Sequence, residues 1–186
     1  MSESSVVVTG GAGFIGSHLV ESLVDEGLSP VVIDDLSSGD PARLSSELRF
    51  EQLDITDAQA LDRVIGSAKP SAIFHLAAQS SVTVSVQDPG RDCQVNVRGT
   101  LNVLESSRRL GTPVVFASTG GALYGNSAPR PTPESSIPAP WRRMAHPNGL
   151  QRRTSTRGRN QRVSPMPFAG SATSSVHDKA PMARPA

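Results

Sequence analysis

Residues 6–24 read Val6-Val7-Val8-Thr9-Gly10-Gly11-Ala12-Gly13-Phe14-Ile15-Gly16-Ser17-His18-Leu19-Val20-Glu21-Ser22-Leu23-Val24. The three valines are a β-branched run, the pattern of a parallel strand buried on both faces. From Phe14 onward, Ile15, Leu19, Val20, Leu23 and Val24 recur at helical spacing, and Gly27 is the expected stop. A glycine-rich turn joins strand to helix. Gly10 permits the tight turn, Gly13 lets the backbone come close to a ligand, and Gly16 lets the helix pack on the strand. A helix that starts there offers unpaired N–H groups and a positive dipole end, a cradle for phosphate.

The pattern repeats downstream. Val31-Val32-Ile33 is a second buried strand ending in Asp34-Asp35, and Asp34 stands 18 residues after Gly16. A carboxylate at that place accepts hydrogen bonds from the ribose hydroxyls of a dinucleotide. It repels a 2′-phosphate, and no arginine adjoins it in the sequence, so NAD is expected over NADP. A purely structural tight turn is the alternative. Leu48–Leu53 reads as a third strand. Asp57 caps a helix to about Ser67, with Leu61, Val64 and Ile65 on one face. Ala72–Leu76 is a fourth strand. Pro89 opens a long helix to about Leu110, with Val95, Leu101 and Leu104 as core candidates, and Val114–Ala117 is a fifth strand. Strands alternating with helices imply right-handed βαβ units: an α/β fold, a doubly wound parallel sheet of Rossmann type.

Composition divides the chain. It has 186 residues, 37% hydrophobic and 19% charged, which excludes a wholly disordered or membrane-embedded protein. No run of apolar residues is long enough to span a bilayer, and Met1–Ser5 lacks the pattern of a secretory signal. The expected location is the cytoplasm. The single cysteine, Cys93, excludes an intramolecular disulfide and a cysteine-built metal site, and it reads as a small buried apolar residue. No metal is expected. Residues 1–140 carry 9 basic and 16 acidic side chains, net −7, whereas residues 141–186 carry 9 basic and 1 acidic, net +8. Five prolines fall in 129–140, and beyond Trp141 only Leu150, Val163, Phe168 and Val176 are Leu, Ile, Val or Phe. The expectation is a dinucleotide-binding domain at 1–140, truncated after its fifth strand, and a disordered basic tail at 141–186.

Ordered segments along 5–140 carry a family resemblance: Thr9–Ser17, Val32-Ile33-Asp34-Asp35-Leu36-Ser37-Ser38-Gly39, Leu53-Asp54-Ile55, Phe74–Val82, Val95-Asn96-Val97-Arg98-Gly99-Thr100 and Phe116–Gly125. The chain resembles the extended short-chain dehydrogenases/reductases, in their nucleotide-sugar epimerase and dehydratase branch. The resemblance implies NAD as cofactor and a UDP-sugar as substrate. It implies hydride abstraction at the sugar C4, as in the interconversion of UDP-glucose and UDP-galactose, and a homodimer. It further implies site residues. Gly10, Gly13, Phe14, Ile15 and Gly16 lie on the pyrophosphate, and Asp34, Asp35 and Ser38 hold the ribose. Asp54 and Ile55 meet the adenine edge, and Leu76, Ala77, Ala78 and Gln79 run along the cofactor. Asn96 sits behind the active site, and Ser118 or Thr119 supplies the catalytic hydroxyl. Read from the residues alone, Asp35 and Asp54 also fit ordinary loop caps, and Asn96 a solvated helix position. His75 fits a satisfied core histidine, and His18 a structural one.

The family's catalytic Tyr-x-x-x-Lys pair is absent from these 186 residues. The one tyrosine is Tyr124 and the lysines are Lys69 and Lys179. The place for it is just after Pro140, where the charge switches, which reads as a shifted frame. Codons permitted for Trp141–Gly149, read one base earlier, can encode Leu-Ala-Pro-Tyr-Gly-Ala-Ser-Lys-Arg. The chain as written is therefore expected to be inactive. Two other readings are a nucleotide-sugar 4,6-dehydratase and a non-catalytic NAD-binding module with a basic tail. Dehydratases carry carboxylates after the fifth strand where this chain has Thr119-Gly120-Gly121, which favours the epimerase. Against a nucleic-acid partner, the eight arginines from Arg142 to Arg184 come with no folded motif.

Overall fold

The computed structural model describes residues 4–119, 124, 130–133 and 135–136. The expected boundary at 140 and the basic tail lie outside the described residues. Five strands, β1 (Ser5–Thr9), β2 (Ser29–Asp34), β3 (Arg49–Gln52), β4 (Ile73–His75) and β5 (Val114–Phe116), form one parallel sheet in the order β3-β2-β1-β4-β5. The strand order reverses between β1 and β4, which places a crevice at their carboxyl ends.

The valine run of β1 is apolar throughout because both faces are covered. Val6 and Val8 pack with Val32 and with Val20 and Leu23 of α1 (Phe14–Asp25). Val7 points the other way, into a cluster with Val31, Ile33 and Ile73, Leu61 and Ile65 of α2 (Ala58–Ala68), and Val103 of α5 (Thr100–Leu110). Side chains alternate across a strand, so a two-sided core needs an apolar residue at every position. Leu23 accepts from the N–H of Leu28 at 3.0 Å and Val24 from that of Gly27 at 2.9 Å, so the first helix stops where expected. Ile15 and Val24, read as part of its apolar face, are exposed instead. Asp57 caps α2 as expected, its Oδ1 accepting from the N–H groups of Gln59 and Ala60.

The long helix predicted from Pro89 is not uniform. It comprises α4 (Pro89–Cys93), a π-helical segment (Gln94–Gly99) and α5. An unexpected short helix, α3 (Val82–Gln87), precedes it; the alternating valines 82, 84 and 86 mimic a strand period and hide it. Cys93 is exposed rather than buried. Val95 is in the core, but Leu101 is 37% exposed. The buried side of α5 is largely polar instead: Thr100, Asn102, Ser106 and Ser107 accompany Val103. Asn102 Nδ2 donates to the carbonyls of Ile55 and Thr56, and Ser106 Oγ to Asp62 Oδ1 of α2. Hydrophobic periodicity points to the leucines, and it cannot register a face whose buried groups pair with one another.

Among the described residues, the Ser85 hydroxyl on α3 is the one buried side-chain polar atom without a hydrogen-bond partner. An unpaired buried hydroxyl is a desolvation cost, so Ser85→Ala should raise stability by about 1 kcal/mol. A urea melt of the two proteins checks this, and a lower midpoint for the variant would contradict it.

Candidate functional site

The glycine turn closes at the strand-order reversal. The Gly10 N–H donates to Ile33 O at 2.7 Å and the Gly13 N–H to Gly10 O at 3.2 Å. Gly10 has φ +74°, and a Cβ there would lie 2.6 Å from the backbone nitrogen of Ala77. A Cβ on Gly16 would overlap Gly10 O and reach 2.7 Å from the Gly11 Cα. No side chain therefore fits at either position, and the turn packs backbone against backbone. Phe14 and Ile15, in the first turn of α1, are 70% and 62% exposed. The first-turn N–H groups have no carbonyl one turn back to pair with. Unpaired N–H groups at a helix start are a general means of holding an anion.

Asp34, at the end of β2, is buried and tied twice. Its Oδ2 accepts from the Ala12 N–H at 3.0 Å and its Oδ1 from the Leu36 N–H at 2.9 Å. The carboxylate thus anchors the glycine turn, and each oxygen keeps a further lone pair that can accept another hydrogen bond. Asp35 Oδ1 accepts from the N–H and hydroxyl of Ser37, and Asp54 Oδ1 from the Thr56 N–H. Their other oxygens converge on Arg91 of α4: its Nη2 is 3.1 Å from Asp54 Oδ2 and 3.6 Å from Asp35 Oδ2. Partial burial pushes the Asp54 carboxyl up, but hydrogen bonds from Thr56 and Arg91 and the guanidinium charge outweigh it and leave it below its usual range. So Asp35 and Asp54 are turn caps, as the residues alone allow, and are also paired to a cation. The arginine missing from the neighbourhood of Asp34-Asp35 in sequence is supplied from a distant helix. Ser38 lies on the exposed loop after them, and Ile55 is buried in the core.

Past β4, Leu76, Ala77, Ala78 and Gln79 leave the sheet beside the glycine turn. The Leu76 N–H donates to Thr9 O and the Ala77 N–H to Thr9 Oγ1. Asn96 is buried and not a solvated helix position. Its Oδ1 accepts from the Gln79 N–H at 2.9 Å, and its Nδ2 donates to Gln79 O at 2.9 Å and Asp92 Oδ1 at 3.0 Å. Gln79 Nε2 donates to the same Asp92 oxygen. Asn96 therefore fastens the strand-exit segment to the π-helical turn, a local distortion common at functional sites. Ser118 and Thr119 follow β5, whose exit is held by the Ala117 N–H donating to His75 O at 3.1 Å. Residues 120–123 lie outside the described residues.

His75 is a fully buried core histidine, as expected. Thr100 gives its one hydroxyl proton to Asn96 O, so its oxygen accepts from His75 Nε2 at 2.9 Å. His75 Nδ1 is then the acceptor, and the Thr9 hydroxyl donates to it at 2.7 Å. One directed chain thus runs from Ala77 through Thr9, His75 and Thr100 to Asn96. Burial pushes the imidazole pKa down to about 4. His18, by contrast, is at the surface, edge-on to Phe14 at 5.0 Å. Arg91, Asp92, Thr9 and Thr100 escape the sequence reading. The one legible signal is the spacing of Asp92, Asn96 and Thr100 at intervals of four. Among the described residues no group of three or more His, Cys, Asp or Glu could hold a metal ion, and no helix is long and apolar enough to cross a membrane.

Residues 6–154 match the NAD dependent epimerase/dehydratase family. The chain is similar to the UDP-glucose 4-epimerase of Mycolicibacterium smegmatis, 46% identical over 134 residues that make up 69% of this chain and 42% of that protein. It is 39% identical over 131 residues to a putative UDP-glucose 4-epimerase of Methanocaldococcus jannaschii, covering 70% of this chain and 43% of that one. Among solved structures, the UDP-glucose 4-epimerase of Thermotoga maritima with UDP-glucose superposes with a TM-score of 0.77 at 41% identity, over 81% of this chain and 49% of that one. That of Thermus thermophilus in complex with NAD gives 0.78 at 39%, over 86% and 52%. The chain spans about two fifths of the length of the curated relatives it matches.

Proposed function

The chain belongs to the NAD dependent epimerase/dehydratase family, and from that premise we propose that it forms the NAD-binding part of an epimerase acting at C4 of a UDP-hexose. The observation that carries this reading is the tightly packed glycine turn of Gly10 to Gly16 at the strand-order reversal, tied to Asp34 through Ala12. The first-turn N–H groups of α1 bind the pyrophosphate, and Asp34 accepts from the adenosine ribose. Asp35, Ser38, Asp54 and the Ile55 backbone border the adenine side. Leu76 to Gln79, fastened by Asn96, border the nicotinamide side, and Ser118 or Thr119 offers a hydroxyl to the sugar oxygen. NAD, when bound, supplies the hydride acceptor for the sugar carbon. The tyrosine base and its lysine are not among these 186 residues, so the chain by itself binds NAD without epimerising UDP-sugars; loss of such a base alone costs about 10²–10⁴-fold. In the same reading the protein is a cytoplasmic homodimer.

Calorimetric titration tests the cofactor. NAD should bind more tightly than NADP. Asp34→Ala should weaken NAD by roughly 1–3 kcal/mol, the range for hydrogen bonds to a charged acceptor. Because the variant also orphans two backbone N–H groups, its melt is recorded alongside. Equal affinity of the native chain for both dinucleotides would overturn the assignment of Asp34.

A further inference from the structure

The carboxyl ends of β2 and β3 carry three carboxylates, Asp34, Asp35 and Asp54, and α4 brings one guanidinium against two of them. The arrangement is built. Asp35 and Asp54 each commit one oxygen to their own turns and the other to Arg91. The Arg91 N–H is itself fixed by the Asp88 carboxylate at 2.8 Å, at the start of α4. The Arg91 side chain is still 37% exposed, so the ion pairs are not sealed from solvent. In a doubly wound sheet the adenosine half of a dinucleotide lies along these strand ends. NADP differs from NAD only by a phosphate on that ribose, and a phosphate there needs a cation that can leave its present partners.

We propose that Arg91 is a specificity-determining residue: clamped between Asp35 and Asp54, its charge is withheld from a 2′-phosphate, and loosening the clamp would hand it over. The inference rests on the NAD reading above. Asp35→Asn is the decisive change. The amide keeps one oxygen for Ser37 and turns an NH₂ toward the guanidinium, donor against donor, so Arg91 loses that partner.

The experiment is a double-mutant cycle on the full chain: native, Asp35→Asn, Arg91→Gln and the double variant, each titrated with NAD and with NADP. The readout is the ratio of the two affinities within one preparation, from which any misfolded fraction cancels. Asp35→Asn should raise NADP relative to NAD about tenfold, within the range for groups in direct contact, and the double variant should lose that gain. The same gain in both backgrounds would mean that removal of a carboxylate charge suffices, and it would overturn the role of Arg91. An unmoved ratio in Asp35→Asn would overturn it too. A native chain that binds neither dinucleotide would overturn the cofactor reading and this inference with it, whereas NAD binding with an Arg91-independent ratio sinks the inference alone.

Discussion

Gly10→Ala should destabilise the protein by about 2–5 kcal/mol and abolish measurable NAD binding, for two separable reasons. The residue sits at φ +74°, where a Cβ costs about 1–2 kcal/mol. That Cβ would also lie 2.6 Å from the Ala77 nitrogen and 2.8 Å from the Ala77 Cα, and overpacking adds about 1–3 kcal/mol. Both atoms it meets are backbone, so no rotamer change relieves the contact; β4 and the glycine turn must move apart, which opens the cradle. Gly27→Ala is the control. Its φ is +76°, but nothing lies within 4 Å of an added Cβ. It should lose only the conformational part, about 1–2 kcal/mol, and keep NAD affinity. Urea midpoints and calorimetry on the two variants check this. Equal losses in both would show that the approach to Ala77 is not what constrains Gly10.

Acidification should destabilise the protein through His75 before its carboxylates matter. The buried imidazole has a pKa near 4, against 6.5 in the unfolded chain. The unfolded state therefore takes up the proton first, and stability falls as pH drops from 6.5 toward 4. By pH 4.5 the loss is on the order of 2–3 kcal/mol. Asp54 acts in the opposite sense and in a lower window: its depressed pKa stabilises the fold above about 3.8, and that contribution is lost only below it. The interval from 6.5 to 4.5 thus isolates the histidine. The directed chain sharpens the effect, because a second proton on His75 would force the Thr9 hydroxyl to turn away from Nδ1. Denaturant midpoints across this interval, with the imidazole titrated by NMR, provide the measurement. A flat profile, or an imidazole titrating near 6.5, would refute it.

How much was legible differs between parts of the site. The strand, the glycine turn and the helix after it are determined by neighbours a few residues apart. Steric limits on φ at Gly10, β-branched packing at Val6 to Val8 and the stop at Gly27 are all written locally. The parallel, doubly wound order follows from the alternation of such units, since each right-handed crossover leaves few topologies open. The acidic end of β2 was equally readable, because its distance from the last glycine is set by one helix and one strand.

Other features depend on residues far apart in the chain, and sequence proximity is silent about them. Asp35 and Asp54 look like solitary turn residues until Arg91 arrives from α4, 37 residues beyond Asp54. Asn96 looks solvated until the exit from β4, 17 residues away, folds onto its amide. His75 is intelligible only with Thr9 and Thr100, 66 and 25 residues distant, because a buried imidazole needs one donor and one acceptor and no local pattern names them. The polar inner face of α5 inverted the reading of Leu101 for the same reason: hydropathy scores a side chain alone, whereas burial depends on whether its partners are present. Sequence alone therefore determined the local geometry that cradles a phosphate, since that geometry is a property of backbone torsions over a few residues. Only the tertiary structure decided which charges and hydrogen bonds surround the cradle, because those form where the packed sheet brings distant segments together.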